Sequence, residues 1–214
     1  MAPGGAARVQ AAGPNWALLP HAFAFLSPLF STGIAWSLLG VERLALVLES
    51  PSRIEAGLAR YERLLQTEVN HLQRLIEGAY RARHDFRLFC AHSYLYFAAV
   101  SFAESSQRLC TAPDEVEQWA WDGIAGATDP VMQRAVAEAT ALLDHPGTAG
   151  PSLAAEYLGA VRRLIAPRNV AGLADPARRG LHPVDLEALV EHAHLLGLTP
   201  GLVRERLPRL RGGA

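Results

Sequence analysis

The chain has 214 residues, half of them hydrophobic and 19% charged, with a formal net charge of -1. That composition describes a globular protein with room for one good core or two small ones, and it excludes a disordered chain. The near-zero charge removes any general electrostatic case for nucleic acid or an anionic membrane as a partner.

Met1 to Gly13 is rich in Gly and Ala and reads as a disordered tail. It lacks the basic and apolar regions of a secretory signal. The stretch from Trp16 to Leu48 is apolar, but Pro20, His21, Pro28, Glu42 and Arg43 interrupt it, and a membrane span needs about 20 nearly unbroken apolar residues. The expectation is a soluble, cytoplasmic chain. Trp16 to Leu19 reads as a short strand stopped by Pro20. A turn, "SPLFSTG", then opens a helix from Ile34 to Glu49 that is apolar on most of its circumference. Such a helix is expected to be covered on several sides.

Ser52-Arg53-Ile54-Glu55, just after Pro51, reads as a capping box. It starts a long amphipathic helix whose apolar positions are Ile54, Leu58, Tyr61, Leu65, Val69, Leu72, Ile76 and Ala79, spaced three and four apart. The next helix, from about Asp85 to Leu109, carries six of the sixteen aromatic residues: Phe86, Phe89, Tyr94, Tyr96, Phe97 and Phe102. It reads either as a central buried helix or as an aromatic wall for a ligand. Pro113 ends the segment. Shorter helices are predicted at about Asp129–Leu143, Pro151–Leu164, Pro183–Leu196 and Pro200–Arg206, each started or flanked by Pro or Gly. Asn169 to Pro183 is an irregular linker. The chain is predicted to be almost entirely helical after residue 32.

Charge is unevenly spread along this order. Pro113 to Ala160 holds eight acids and one arginine, and Val161 to the end holds nine arginines and five acids. Such blocks read as complementary faces of one domain. All twenty basic residues are arginine, so no lysine can form a Schiff base or act as a general base. Cys90 and Cys110 stand far apart on one predicted helix, as neither a metal pair nor a disulfide, which suits a reducing compartment.

Few residues offer chemistry of their own. Glu68-Val69-Asn70-His71 has the E-x-x-H spacing of di-iron bundles, but those also need glutamates from other helices, all pointing inward. His192 and His194 are two apart, about 200° around a helix, and cannot chelate together. Helix packing or the surface is the expected place for these three histidines, and no metal is expected. Ser93, Ser101, Ser105 and Ser106 lie in a helical pattern without a nucleophile elbow. His84 and Asp85 read as a helix start. Ser31-Thr32-Gly33 stands apart from these. Gly33 permits close backbone approach or an unusual dihedral, and Ser31 or Thr32 can cap the helix. The first amides of a helix lack internal partners and lie at the positive end of its dipole. The turn is therefore either a capped helix start or a seat for an anion or an electron-rich carbonyl.

"PHAFAFLSPLFSTGIAWSLLGVERLA" resembles the last FAD-contacting segment of the flavin-dependent, tryptophan-halogenase-like oxidoreductases. In that family Pro-Leu-x-Ser-x-Gly ends the flavin domain and starts a helix. "AYRARHDFRLFCAHSYLYFAAVSFAES" and "NVAGLADPARRGLHPVDLEALV" resemble its C-terminal helical region, so the resemblance covers nearly the whole chain past residue 14. It implies that Pro28, Ser31, Thr32, Gly33 and Ile34 lie against the isoalloxazine ring of FAD. In halogenating members Thr32 and Gly33 would also hold the halide. Tryptophan halogenases carry a Glu needed for chlorination where this chain has Phe30, and Ser27 replaces the usual acidic residue. The family's catalytic lysine has no counterpart here, and no catalytic residue is assigned.

The implied fold is mainly α: the helical C-terminal region of a flavin-dependent α/β oxidoreductase, with a short remnant of the FAD domain at its start. The implied division is 1–13 tail, 14–49 end of the FAD domain, 50–207 helical substrate-side domain and 208–214 tail. Phe30, Phe89, Tyr96 and Phe97 would line the substrate pocket. The implied partners are an N-terminal FAD domain carrying the dinucleotide fingerprint, a flavin reductase and a small-molecule substrate. The chain would then be the C-terminal part of a longer oxidoreductase or monooxygenase, with weak or absent FAD binding of its own. The reading from another class is a standalone all-α interaction module without catalysis.

Overall fold

The computed structural model describes residues 10–109, 120–144, 151–175 and 186–211. The chain enters through a two-residue hairpin, β1 (Ala12–Gly13) against β2 (Trp16–Ala17), with Ala12 opposite Ala17 and Gly13 opposite Trp16. The hairpin is tied down by the Glu62 carboxylate, which accepts from the amides of Ala11 and Ala12 at 2.5 and 2.6 Å. Both alanines are buried. Residues 11–13 therefore pack into the fold, because a carboxylate fixes the amides of Ala11 and Ala12 and Gly13 pairs with Trp16.

A short helix, α1 (Pro20–Phe23), and a single 3-10 turn at Pro28–Phe30 lead into α2 (Thr32–Leu48). The long helix α3 (Ile54–Ala82) follows, and its buried positions include Leu58, Tyr61, Leu65, Val69, Leu72, Ile76 and Ala79, so the three-and-four spacing marks the inward face correctly. Its start differs from the expectation. Pro51 opens a 3-10 turn over Pro51–Arg53 that runs directly into α3, and no side chain caps the helix. Ser52 sits inside that turn, where its hydroxyl cannot reach forward as a cap requires.

Helix α4 (Phe86–Leu109) begins at a true cap: Asp85 Oδ1 accepts the Arg87 amide at 2.9 Å, and the Arg87 side chain holds the Asp85 carboxyl down at about 2. Helix α4 packs on α3 and on α6 (Pro151–Ile165), and α5 (Pro130–Leu142) fills the remaining side against α3 and α6. The inward face of α4 is made of Leu88, Ala91, His92, Ser93, Leu95, Ala98 and Ala99. Small residues there let the helices approach closely: a Cβ on Gly78 of α3 would fall 2.2 Å from Cε1 of His92. Of the aromatic residues, Phe86 is 75% and Phe97 37% exposed, while Phe89, Tyr94, Tyr96 and Phe102 are partly buried at the edges of the cores. Helix α4 is central, but its aromatics do not make it so.

The C-terminal elements are α7 (Leu186–Glu191), a 3-10 turn at Ala193–Leu196 and α8 (Pro200–Arg211), which reaches past the expected tail boundary at 208. They form a second, smaller core of Leu189, Val190, Ala193 and Val203 around Leu109 at the end of α4. The main core runs without a break from Trp36 and Val47 of α2 into α3, α4, α5 and α6, so packing is continuous across residues 49 and 50. The ion pair of Asp129 with Arg168 links the acidic block of the sequence to the arginine-rich block. Part of the linker read at Asn169–Pro183, from 176 onward, lies outside the described residues, as does Cys110.

Helix α2 is the element whose surroundings differ most from the expectation. Its inner face buries Trp36, Gly40, Arg43 and Val47. Its outer face is bare, with Ile34 76%, Leu38 65%, Val41 51% and Leu48 64% exposed. The covered side meets α1, α3, the two flanking 3-10 turns and the segment Ala120–Asp122, and the other side is bare.

Candidate functional site

The site is built around the entry to α2. Pro28 starts the 3-10 turn, and Ser27 fastens it to α3 through a 2.9 Å contact between its hydroxyl and that of Tyr80. Ser31 then adopts the left-handed conformation, φ 54° and ψ 23°, which costs a non-glycine residue roughly 1 kcal/mol. Its side chain makes no capping bond. The first-turn amides of α2 therefore have no intrahelical acceptor and none from the Ser31 side chain, and they lie at the positive end of the helix.

Gly33 is needed for close approach and not for an unusual dihedral. A Cβ there would lie 2.6 Å from Cε1 of His21, whose ring also meets Trp36 edge-on at 6.2 Å. The positive φ belongs to Ser31, two residues earlier. Thr32 is buried at the helix start, while Ile34 projects from it. Ser31, Thr32, Gly33 and Ile34 thus form one continuous feature: a strained residue, a buried anchor, a thin backbone and an exposed apolar side chain.

Beside this turn stands an aromatic wall. Phe30 stacks on Tyr96 of α4 with ring centroids 4.6 Å apart and planes 11° from parallel. Phe97 meets Tyr96 edge-on at 5.5 Å. Three of the four residues expected around a substrate therefore come together. Phe89 does not join them: it lies two turns before Tyr96 along α4, and its ring neighbour is Phe86 at 6.4 Å.

One helical turn beyond the wall, α2 and α4 enclose an open groove of about 490 Å³. Its walls are Ala35 and Leu39 from α2 and Val100, Ala103, Glu104, Gln107 and Arg108 from α4, and its floor is the loop Asp122–Ala125. None of the four aromatic residues lines it. The groove has an apolar body with charged groups at one end, and its volume suits a small organic molecule.

Under the groove lies a feature that the sequence reading passed over. Arg43 and Glu68 form an ion pair at 2.8 Å with both side chains fully buried. Glu68 Oε2 accepts from Trp36 Nε1 at 2.8 Å and from Arg43 Nη1 at 2.9 Å. Its Oε1 accepts from Arg43 Nη2 at 2.8 Å and from the Ile124 amide at 2.9 Å. Arg43 also donates to the carbonyls of Ala120 and Asp122 at 2.6 and 3.1 Å. Two signals in the sequence pointed here: an arginine inside an apolar helix, and a glutamate on the apolar stripe between Leu65 and Leu72.

The remaining candidates have structural roles. His71 Nε2 lies 2.9 Å from the Ala125 carbonyl, and burial pushes its imidazole below the ordinary value. His192 Nδ1 bonds the Ala188 carbonyl of its own helix, and Ser93 bonds the Phe89 carbonyl. His84 Nδ1 bonds the Arg81 carbonyl. Burial pushes the Cys90 thiol up, away from reactivity. Among the described residues, no three His, Cys, Asp or Glu side chains stand together as a metal site. No helix among them is long and apolar enough to cross a membrane.

No protein-family model and no curated protein matches the sequence. Solved structures do match. The crystal structure of halogenase PltM aligns with a TM-score of 0.64 at 19% identity, covering 80% of this chain and 38% of that one. The structure of the same halogenase in complex with phloroglucinol and FAD aligns with a TM-score of 0.63 at 19% identity, with the same coverage. Its complex with ethyl mercury and mercury gives 0.61 at 20% identity, covering 76% of this chain and 36% of the other. The chain has the mainly helical fold of part of that halogenase and spans under two fifths of its length.

Proposed function

We propose that this chain supplies the flavin-facing turn and the substrate-side helices of an FAD-dependent oxidoreductase of the halogenase-like group. The observation that carries the reading is the entry to α2, where uncapped amides and a stacked Phe30–Tyr96 pair stand side by side in a fold shared with part of a halogenase. The flavin, when bound, supplies the redox chemistry, and the protein supplies its placement. The amides after Ser31 suit the electron-rich carbonyl edge of an isoalloxazine ring, while Gly33 lets His21 pack against the turn. In a halogenating member, Thr32 and Gly33 would hold the halide. Pro28 fixes the approach of the chain to the turn.

No G-x-G-x-x-G occurs in this sequence, so the pyrophosphate half of the cofactor needs residues other than these. The proposed partner is a dinucleotide-binding FAD domain, and the bare apolar face of α2 is the surface it would cover. A flavin reductase and a small-molecule substrate complete the proposal, with Phe30, Tyr96 and Phe97 on the substrate side and Phe89 farther along the same helix. Phe30 carries no charge and accepts no hydrogen bond, so chlorination of tryptophan is not the expected chemistry.

The same exposed face also favours the second reading, a helical interaction module without catalysis. Ligand selectivity separates the two. The chain is titrated with FAD, riboflavin and ADP, followed by flavin and tryptophan fluorescence. If the turn meets the isoalloxazine ring alone, FAD and riboflavin act alike with dissociation constants of about 1 mM, a few kcal/mol of binding, and ADP has no effect. Stoichiometric FAD binding at about 1 μM, or ADP matching FAD, would overturn the assignment of roles. No response to any of the three would favour the interaction module.

A further inference from the structure

One wall of the groove and its floor are held by one carboxylate. Trp36 belongs to α2 and is flanked by the groove residues Ala35 and Leu39, while Ile124 belongs to the floor loop. These two segments are far apart in sequence, and each donates to a different oxygen of Glu68, Trp36 Nε1 to Oε2 and the Ile124 amide to Oε1. Arg43 repeats the pattern from α2: Nε donates to the Ala120 carbonyl, Nη2 to both the Asp122 carbonyl and Glu68 Oε1, and Nη1 to Glu68 Oε2. The floor is irregular and strained. Ala125 is buried with φ 51°, and the single 3-10 turn at Ile124–Gly126 leaves several polar groups of the loop without a backbone partner. Side chains satisfy them instead: Glu68 for the Ile124 amide, Arg43 for two carbonyls, His71 for the Ala125 carbonyl and Thr128 for the Gly123 amide.

We infer that Glu68 is a positioning residue that fixes α2 against the floor of the groove, and with it the seat of the turn at Ser31–Ile34, acting through Trp36 and Arg43. This rests on the reading of that turn and groove as the ligand site. A buried ion pair adds little net stability compared with apolar packing of equal volume, so stability alone does not explain its presence. What it does supply is geometry. A planar guanidinium and a carboxylate meet in a fixed fork, and here the fork joins three chain segments in one plane of hydrogen bonds. A ligand that displaced α2 would have to break the bond from Trp36 to the same carboxylate that holds the floor.

Coupling across that carboxylate is measurable without any ligand, by native-state hydrogen exchange on the full chain. Trp36→Phe removes one bond to Glu68 and none to the floor loop. In that variant the Ile124 amide should lose about tenfold in protection, although its own acceptor is intact, while Val136 of α5 and Val161 of α6 keep theirs. In Glu68→Gln the amides of residues 33–39 and 120–125 should lose protection together. Unchanged exchange at Ile124 in Trp36→Phe would overturn the inference, and so would an equal loss at Val136 and Val161, which would mark a loss of stability alone. If Glu68→Gln fails to fold, Trp36→Phe still decides. Failure of the flavin reading has a different signature: the exchange coupling persists while FAD and riboflavin leave the chain unperturbed.

Discussion

Buried polar residues show how chemistry and packing share this chain. His92 is fully buried between α3 and α6, with Nε2 donating to the Leu75 carbonyl at 2.9 Å and Nδ1 accepting from the Tyr157 hydroxyl at 2.7 Å. That assignment is complete only for the neutral ring. Burial lowers His92 from 6.5 to about 4, outweighing the Leu75 bond that favours the charged form. The sign follows from linkage. Between about pH 6.5 and 4 the unfolded chain takes a proton that the folded chain refuses, so stability is full above 6.5 and is lost as pH falls toward 4. The loss from this residue should be of order 3 kcal/mol, and His71 shifts in the same direction. Urea unfolding at pH 7.5, 6 and 4.5 checks it, and a flat profile would contradict the buried neutral pair. In the sequence, His92 was one residue of an aromatic stretch and carried no signal. Arg43 and Glu68 did carry one, but charge in an apolar pattern does not say which partner it has. The E-x-x-H spacing drew attention to Glu68 for a metal, whereas the partner came from another helix.

At the scale of elements, periodicity gave the inward face of α3 residue by residue, because one stripe of a single helix is a local property. Helix α4 shows where local pattern stops. Its aromatics suggested the core, yet the close crossing at Gly78 and His92 requires small side chains inward, and only the neighbouring helix reveals that requirement. The capping box was misplaced for a similar reason, since Pro51 had already committed Ser52 to a turn. For α2 the pattern was read correctly as apolar nearly all round, but no residue of a helix names what covers it. Ile34, Leu38, Val41 and Leu48 recur at four, three and seven, a stripe suited to burial against another surface. The isolated chain should therefore associate and bind a hydrophobic dye. Leu38→Glu, in the middle of the stripe, should reduce both while changing folding stability by no more than about 0.5 kcal/mol, the usual range for an exposed site. Light scattering behind size exclusion gives the answer. A clean wild-type monomer that ignores the dye would show that the face needs no cover.

For the whole molecule, the mainly α architecture was legible from composition and pattern, and the fold likeness to part of a halogenase agrees with the resemblance carried by the segment from Pro20 to Ala45. The turn was legible as a feature, and Phe30, Tyr96 and Phe97, three of the four residues expected around a substrate, stand in contact. The groove beyond it was not legible, because its walls come from segments separated by about sixty residues and its floor from a loop with no motif. What joins these parts is the claim that the entry to α2 meets a flavin ring. The direct measurement is a site-resolved one: amide shifts of the isotope-labelled chain on addition of riboflavin at about 1 mM, the weak-binding range. Shifts at Gly33, Ile34 and Ala35, with ring-current changes at Phe30 and Tyr96 and little elsewhere, are what the account predicts. Riboflavin shifts confined to other surfaces, or none at the first turn of α2 at that concentration, would contradict it.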